Sequence, residues 1–181
     1  MNGSFGFLTW PFLLVCLFIG SCHHEQQQQM VSQDSLKEHL IKANKISIEN
    51  ESKLIDDFIS RHQWKMTLTG TGLRYEIYSH ENGKGKKAEN EKQVTIAYTL
   101  YFADGTLCYP ADAGKPITFI LGHGQQPHGL EEGILFMHEG DRARLVVPAH
   151  LGYGMTGDDD KIPGRSILYY EVTLLKVNDT K

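Results

Sequence analysis

Residues 129–154 read Gly-Leu-Glu-Glu-Gly-Ile-Leu-Phe-Met-His-Glu-Gly-Asp-Arg-Ala-Arg-Leu-Val-Val-Pro-Ala-His-Leu-Gly-Tyr-Gly, and the fold turns on them. Leu130 to Met137 is a short apolar stretch that opens with Glu131 and Glu132, acidic residues suited to the positive end of a helix dipole. Arg142 to Val147 then reads as a strand, so one short helix runs directly into sheet. Upstream, Leu73, Tyr75 and Ile77 alternate with polar neighbours, as do Val94, Ile96 and Tyr98; this is the period of a half-buried strand. Asp104-Gly105 gives a hairpin turn, and Ile117, Phe119 and Leu121 form another strand-like run. Downstream, Ile167 to Val177 completes the set. Many strands, one short helix and no room for βαβ crossovers predict an antiparallel α+β domain over residues 70–181.

The segments outside that domain have a different grammar. Glu81 to Gln93 is charged and carries glycine; its Gly83-Lys84-Gly85-Lys86-Lys87 lacks the spacing of a phosphate loop and reads as a flexible linker. Residues 34–66 form a helical extension of two short amphipathic segments. Leu36, Leu40 and Ile41 follow a Ser32 cap, and Leu54, Ile55, Phe58 and Ile59 make a second stripe. That stripe either packs on the domain or serves as a dimerisation or docking surface. Residues 22–33 are Gln-rich and read as a solvated tether. Phe5 to Gly20 is an almost unbroken apolar run, shorter than the roughly 20 residues a membrane span needs and interrupted by Pro11. It ends in Ile19-Gly20-Ser21-Cys22 and then turns polar. Small residues before a cysteine after an apolar core resemble a bacterial lipoprotein signal over residues 1–21, with Cys22 as the lipidated residue, although Met1 to Gly6 lacks the usual Lys or Arg. On that reading the protein is exported and held at the cell envelope by its acyl chains. Cys108 then remains as a lone thiol, read as a packed side chain rather than a nucleophile.

With 181 residues the chain suits one domain plus an extension, and its formal net charge of −4 gives no basis for a charge-driven nucleic-acid partner. The histidines, chiefly His23-His24 and His123 with His128, lack further ligands at zinc-like spacing, so no metal is expected. Asp158-Asp159-Asp160 reads as a solvated loop, without the alternation of a calcium loop.

Taken in order, the blocks carry a family resemblance. Val94-x-Ile96-x-Tyr98, Asp104-Gly105, Pro116-x-x-Phe119-x-Leu121-Gly122, Gly129-Leu130-Glu131-Glu132-Gly133, Met137-x-x-Gly140-Asp141-x-Ala143, Leu145-Val146-Val147-Pro148, Leu151-Gly152-Tyr153-Gly154, Ile162-Pro163-Gly164 and Tyr170-Glu171-Val172-x-Leu174 resemble the successive blocks of the FKBP-type prolyl isomerases. The resemblance implies a twisted antiparallel sheet wrapped around a short helix, with an apolar pocket between them. The lipoprotein start, the helical preface and the loop before Pro163 resemble the FKBP-type lipoproteins of the Bacteroidetes gliding-motility-associated group.

Carried over by position, the resemblance implies Tyr98 as a pocket-wall tyrosine and Phe119 as a buried wall aromatic. Tyr153 is the tyrosine whose hydroxyl bonds a substrate carbonyl, and Ile162 is a wall residue. Tyr170 stands where the family commonly has phenylalanine. Leu130 replaces a frequent tryptophan, Tyr109 a frequent acid, Cys108 a phenylalanine and Ile117 an aromatic. Gln126-Pro127 sits where two aliphatic residues are usual, and Pro127 has no backbone N–H to offer a substrate.

Such a pocket needs no cofactor and no covalent intermediate. Rotation about an X–Pro bond faces a barrier of about 20 kcal/mol and takes tens of seconds. Bringing it to milliseconds requires about a 10⁴-fold acceleration, or roughly 5 kcal/mol. An apolar slot favours the twisted amide, whose resonance is lost, and a few donors at the rim hold the chain. Two readings follow: an isomerase acting on proline-containing polypeptides, or a binding module that keeps the pocket with little catalysis. Tyr153 and Tyr170 favour the first; Tyr109 and Gln126-Pro127 favour the second.

Overall fold

The computed structural model describes residues 33–80, 85–109 and 114–180; the signal-like run, Cys22 and the tether up to residue 32 lie outside them. The chain begins with α1 (Gln33–His62), followed by β1 (Thr67–Leu68), β2 (Arg74–His80), β3 (Gln93–Phe102) and β4 (Pro116–Ile120). Then come α2 (His128–Ile134), β5 (Asp141–Val147), a single 3-10 turn at Ala149–Leu151, and β6 (Leu168–Asn178). The strands form one antiparallel sheet in the order β1-β2-β5-β6-β3-β4. The α+β architecture expected from residues 129–154 and their neighbours is the one observed.

The sheet divides two layers of apolar packing, because successive side chains on a strand point to opposite faces. On one face Leu73, Val94, Ile96, Leu145, Val147, Tyr170, Val172 and Leu174 close over Leu130 and Ile134 of α2. Close approach is built into α2: a Cβ on Gly133 would meet the Leu145 side chain at 2.5 Å, and one on Gly129 the Val147 side chain at 2.6 Å. On the other face Val146, Tyr169 and Tyr101 receive Ile55 and Phe58 of α1, with Trp64 beside them. Adjacent tyrosines of β6 therefore serve opposite layers, Tyr169 toward α1 and Tyr170 toward α2.

Two expectations are corrected. The extension is one continuous helix of 30 residues, not two segments. Its middle, Ala43-Asn44-Lys45-Ile46-Ser47-Ile48-Glu49-Asn50, contains neither glycine nor proline to stop it. Only its second half is anchored. The Arg74 guanidinium, 5% exposed, donates to Asp56 (2.9 Å) and Ser52 Oγ (2.6 Å), and Glu51 accepts from the Ala149 N–H at 2.6 Å. Leu36, Leu40, Ile41, Ile46 and Ile48 stay exposed. The segment read as a flexible linker is tied down from residue 85 onward: Ala88 is buried and donates its N–H to Met137 O at 3.0 Å, and Glu91 donates its N–H to Leu121 O at 2.9 Å.

Candidate functional site

The register of β3 and β6 sets the core of the site. Leu100 pairs with Tyr170 and Tyr98 with Val172, so Tyr98 and Tyr170 are diagonal neighbours on the α2 face. Their ring centroids lie 5.5 Å apart at 55°. Tyr153 packs on the same cluster just beyond the 3-10 turn, together with Leu130, Ile162, Cys108, Tyr109 and Ile117. Phe119, opposite Val94 on β4, is buried in that cluster as well. Three tyrosines, two aliphatic walls and a thiol that the sequence scatters over 73 positions, from Tyr98 to Tyr170, are thus brought to one end of the sheet.

The Tyr153 and Tyr170 hydroxyls are held protonated. Desolvation, then Tyr98, raises the Tyr153 hydroxyl above its ordinary ionisation. Desolvation, then Tyr153 and Tyr98, raises that of Tyr170 much further. At neutral pH these groups are hydrogen-bond donors. Tyr170 is fully enclosed, and its hydroxyl oxygen has no partner in hydrogen-bonding geometry, although the Tyr153 and Tyr98 hydroxyls are close enough to act on it electrostatically. Burial, followed by Asp158 and Asp104, pushes the Cys108 thiol up to about 11, which keeps it a packed group and not a nucleophile.

The rim of the site holds the residue that the sequence reading missed. Asp158 accepts from the Tyr109 hydroxyl with Oδ2, and from the N–H groups of Ile162 (2.8 Å) and Asp160 (3.1 Å) with Oδ1. Desolvation pushes its carboxyl up, but the bonds from Tyr109 and the two backbone groups outweigh it and leave it below the ordinary value. The bond to Asp158 in turn pushes Tyr109 up to about 12. Lys161 completes the arrangement, its Nζ 4.9 Å from the Tyr109 ring centroid. The carboxylate that resemblance places at position 109 is supplied from the opposite loop, and it fixes the buried Ile162 wall. Asp158 therefore organises its loop where a solvated run was expected; the available signal was an Asp two residues before another backbone donor, the pattern of an Asx turn. Gly157 makes that turn possible, with φ +89° and a Cβ direction blocked by the Ile162 carbonyl.

Gln126 and Pro127 lie at the start of α2 and offer no backbone donor to a ligand. Proline has none, and the Gln126 N–H donates to Glu131 Oε1 at 3.0 Å. The buried Glu131 carboxylate also accepts from Gly122 N–H at 2.9 Å, so it braces the whole 122–126 loop. Among the described residues no three His, Cys, Asp or Glu side chains gather as a metal site. His123 instead bonds Glu91 at 2.9 Å.

Comparison with known proteins agrees with this fold. The family model for FKBP-type peptidyl-prolyl cis-trans isomerases matches residues 84–175. An FK506-binding protein of Neisseria meningitidis is 39% identical over 98 residues, covering 54% of this chain and 90% of the relative. The human peptidyl-prolyl cis-trans isomerase FKBP2 is 43% identical over 92 residues, 50% of this chain and 65% of that one. The crystal structure of FkpA from Escherichia coli superposes with a TM-score of 0.60 at 26% identity, covering 84% of this chain and 76% of that chain.

Proposed function

The chain belongs to the FKBP-type peptidyl-prolyl cis-trans isomerase family, and from that premise we propose that it accelerates X–Pro isomerisation in exported proteins as they fold. The observation that carries this reading is the convergence of Tyr98, Tyr153 and Tyr170 with Leu130 and Ile162 in one apolar cluster. A proline ring entering between them leaves water for a surround that disfavours the polar, planar amide. The Tyr153 hydroxyl, kept protonated by desolvation, holds a substrate carbonyl at the mouth. Tyr98, Phe119, Leu130, Ile162 and Tyr170 form walls and floor, and Tyr109 with Asp158 holds the rim.

A protease-free exchange assay on proline peptides tests it, with the full chain in detergent micelles. Acceleration over the spontaneous rate that falls with Tyr153→Phe is the expected result. No acceleration by a folded protein, across several residues preceding proline, would sink catalysis. A binding module is the second reading. Pro127 and the Gln126 N–H committed to Glu131 favour it, because neither position offers a substrate a backbone donor.

The wider setting is proposed on the sequence. Residues 1–21 act as a signal, Cys22 carries the lipid, residues 22–33 are the tether, 34–66 the helical extension and 70–181 the isomerase domain. The protein is then anchored in the envelope of a cell as a member of the Bacteroidetes gliding-associated isomerase lipoproteins. Cys22→Ser should abolish incorporation of a labelled fatty acid. The exposed Leu36, Leu40, Ile41 and Ile48 of α1 fit pairing with the same row of a second copy. A monomer in sedimentation at micromolar concentration would exclude that pairing.

A further inference from the structure

The oxygen of Tyr170 has no packing role that a phenylalanine would not fill. The residue is 1% exposed, and its hydroxyl is buried with no partner in good hydrogen-bonding geometry. At the rim, the Tyr109 hydroxyl serves Asp158 and the Gln126 N–H serves Glu131. The Tyr170 hydroxyl is left facing the cluster formed with Tyr98 and Tyr153, which is where the isomerising bond must sit if the chain is an isomerase.

Resting on that isomerase reading, we propose that the Tyr170 hydroxyl donates a hydrogen bond to the prolyl nitrogen of the twisted amide. In the planar bond the nitrogen lone pair is delocalised into the carbonyl and accepts nothing. As the bond rotates, conjugation is lost, the nitrogen becomes pyramidal and its lone pair becomes an acceptor. A donor to nitrogen is therefore satisfied only at the top of the barrier, so it raises turnover without tightening the ground state. A donor to the rotating carbonyl oxygen acts in the opposite sense, since it favours the resonance form with C–N double-bond character. No covalent bond forms and the hydroxyl keeps its proton throughout.

Steady-state kinetics and thermal unfolding of the full chain in detergent micelles, wild type beside Tyr170→Phe, decide the matter. The expected result is a kcat about tenfold lower with KM unchanged, in a protein whose Tm is raised because the unpaired hydroxyl is gone. Wild-type kcat in Tyr170→Phe overturns the assignment and leaves the isomerase reading intact. A higher KM at unchanged kcat also overturns it, because the hydroxyl would then serve the ground state. A wild type that gives no acceleration at all overturns both.

Discussion

Tyr109 and Asp158 stand 49 residues apart and meet through one hydrogen bond, yet this contact sets the position of Ile162. Asp158 also holds the Ile162 and Asp160 N–H groups, so the wall and the rim move as one piece. Tyr109→Phe removes the hydroxyl while keeping the ring under Lys161. The expected outcome is a kcat/KM lower by about threefold, carried mainly by KM, because a looser wall weakens binding of the ring more than it changes rotation. Peptide kinetics on the variant check this, and an unchanged KM would mean that Ile162 holds its place without the latch. The pH dependence has a definite sign. Asp158, depressed below its ordinary value, contributes stability that is present above the carboxylate range and is lost as pH falls through its lowered value. Tyr109, raised to about 12, contributes stability that is present below the ordinary phenol range and is lost as pH rises through about 12. Between these limits the latch and the Tyr153 donor keep one protonation state, so kcat/KM should be flat from about pH 5 to pH 9. A step near pH 6 to 7 would bring a histidine into the mechanism.

Elements with a strong local period were readable, and contacts between elements were not. Val94, Ile96 and Tyr98 alternate on β3 because one face of that strand meets α2 and the other does not. The acidic opening and paired glycines of α2 follow from its dipole and its approach to Leu145 and Val147. The apolar spacing of α1 suggests two segments because Ile46 and Ile48 fall off the stripe, and both are largely exposed. Strand β1, two residues long, is below any period. The pairing of Tyr109 with Asp158 and the unpaired state of Tyr170 depend on loops meeting in space, so sequence could supply their identities and not their relation. The second half of α1 gives a test at this scale. Ile55 is fully buried and Phe58 nearly so, against Val146 and Tyr169 on the sheet face away from α2. Ile55→Ala should cost about 2–4 kcal/mol of stability in a denaturant titration, with turnover of the folded enzyme unchanged. A loss of turnover at full folding would show that the two faces of the sheet are coupled.

The whole molecule is a sheet with a different task on each side, and β6 is where they meet. Tyr169 faces α1, its hydroxyl bonded to Glu171 at 2.5 Å, while Tyr170 faces α2 and the tyrosine cluster. The extension is thus part of the folded unit in its second half and a projecting arm in its first. A deletion of residues 34–66 does not simply release an intact domain, contrary to what two loosely attached helices would allow. It strips Ile55, Phe58 and Trp64 from Val146, Tyr169 and Tyr101, and it leaves the buried Arg74 guanidinium without Asp56 and Ser52. Uncovering that apolar face forfeits about 25 cal/mol for every Å² returned to water, against a total of about 5–15 kcal/mol for a native protein. That truncation should therefore melt far below the full chain or fail to fold. A deletion ending at residue 48 spares Glu51, Ser52, Ile55 and Asp56, and should keep both Tm and kcat/KM. Thermal unfolding and peptide kinetics of the two deletions side by side separate the arm from the clamp. Equal stability in both would mean that the contacts of Ile55, Phe58 and Arg74 contribute nothing, and a loss of turnover with the shorter deletion alone would place a catalytic role in the exposed arm.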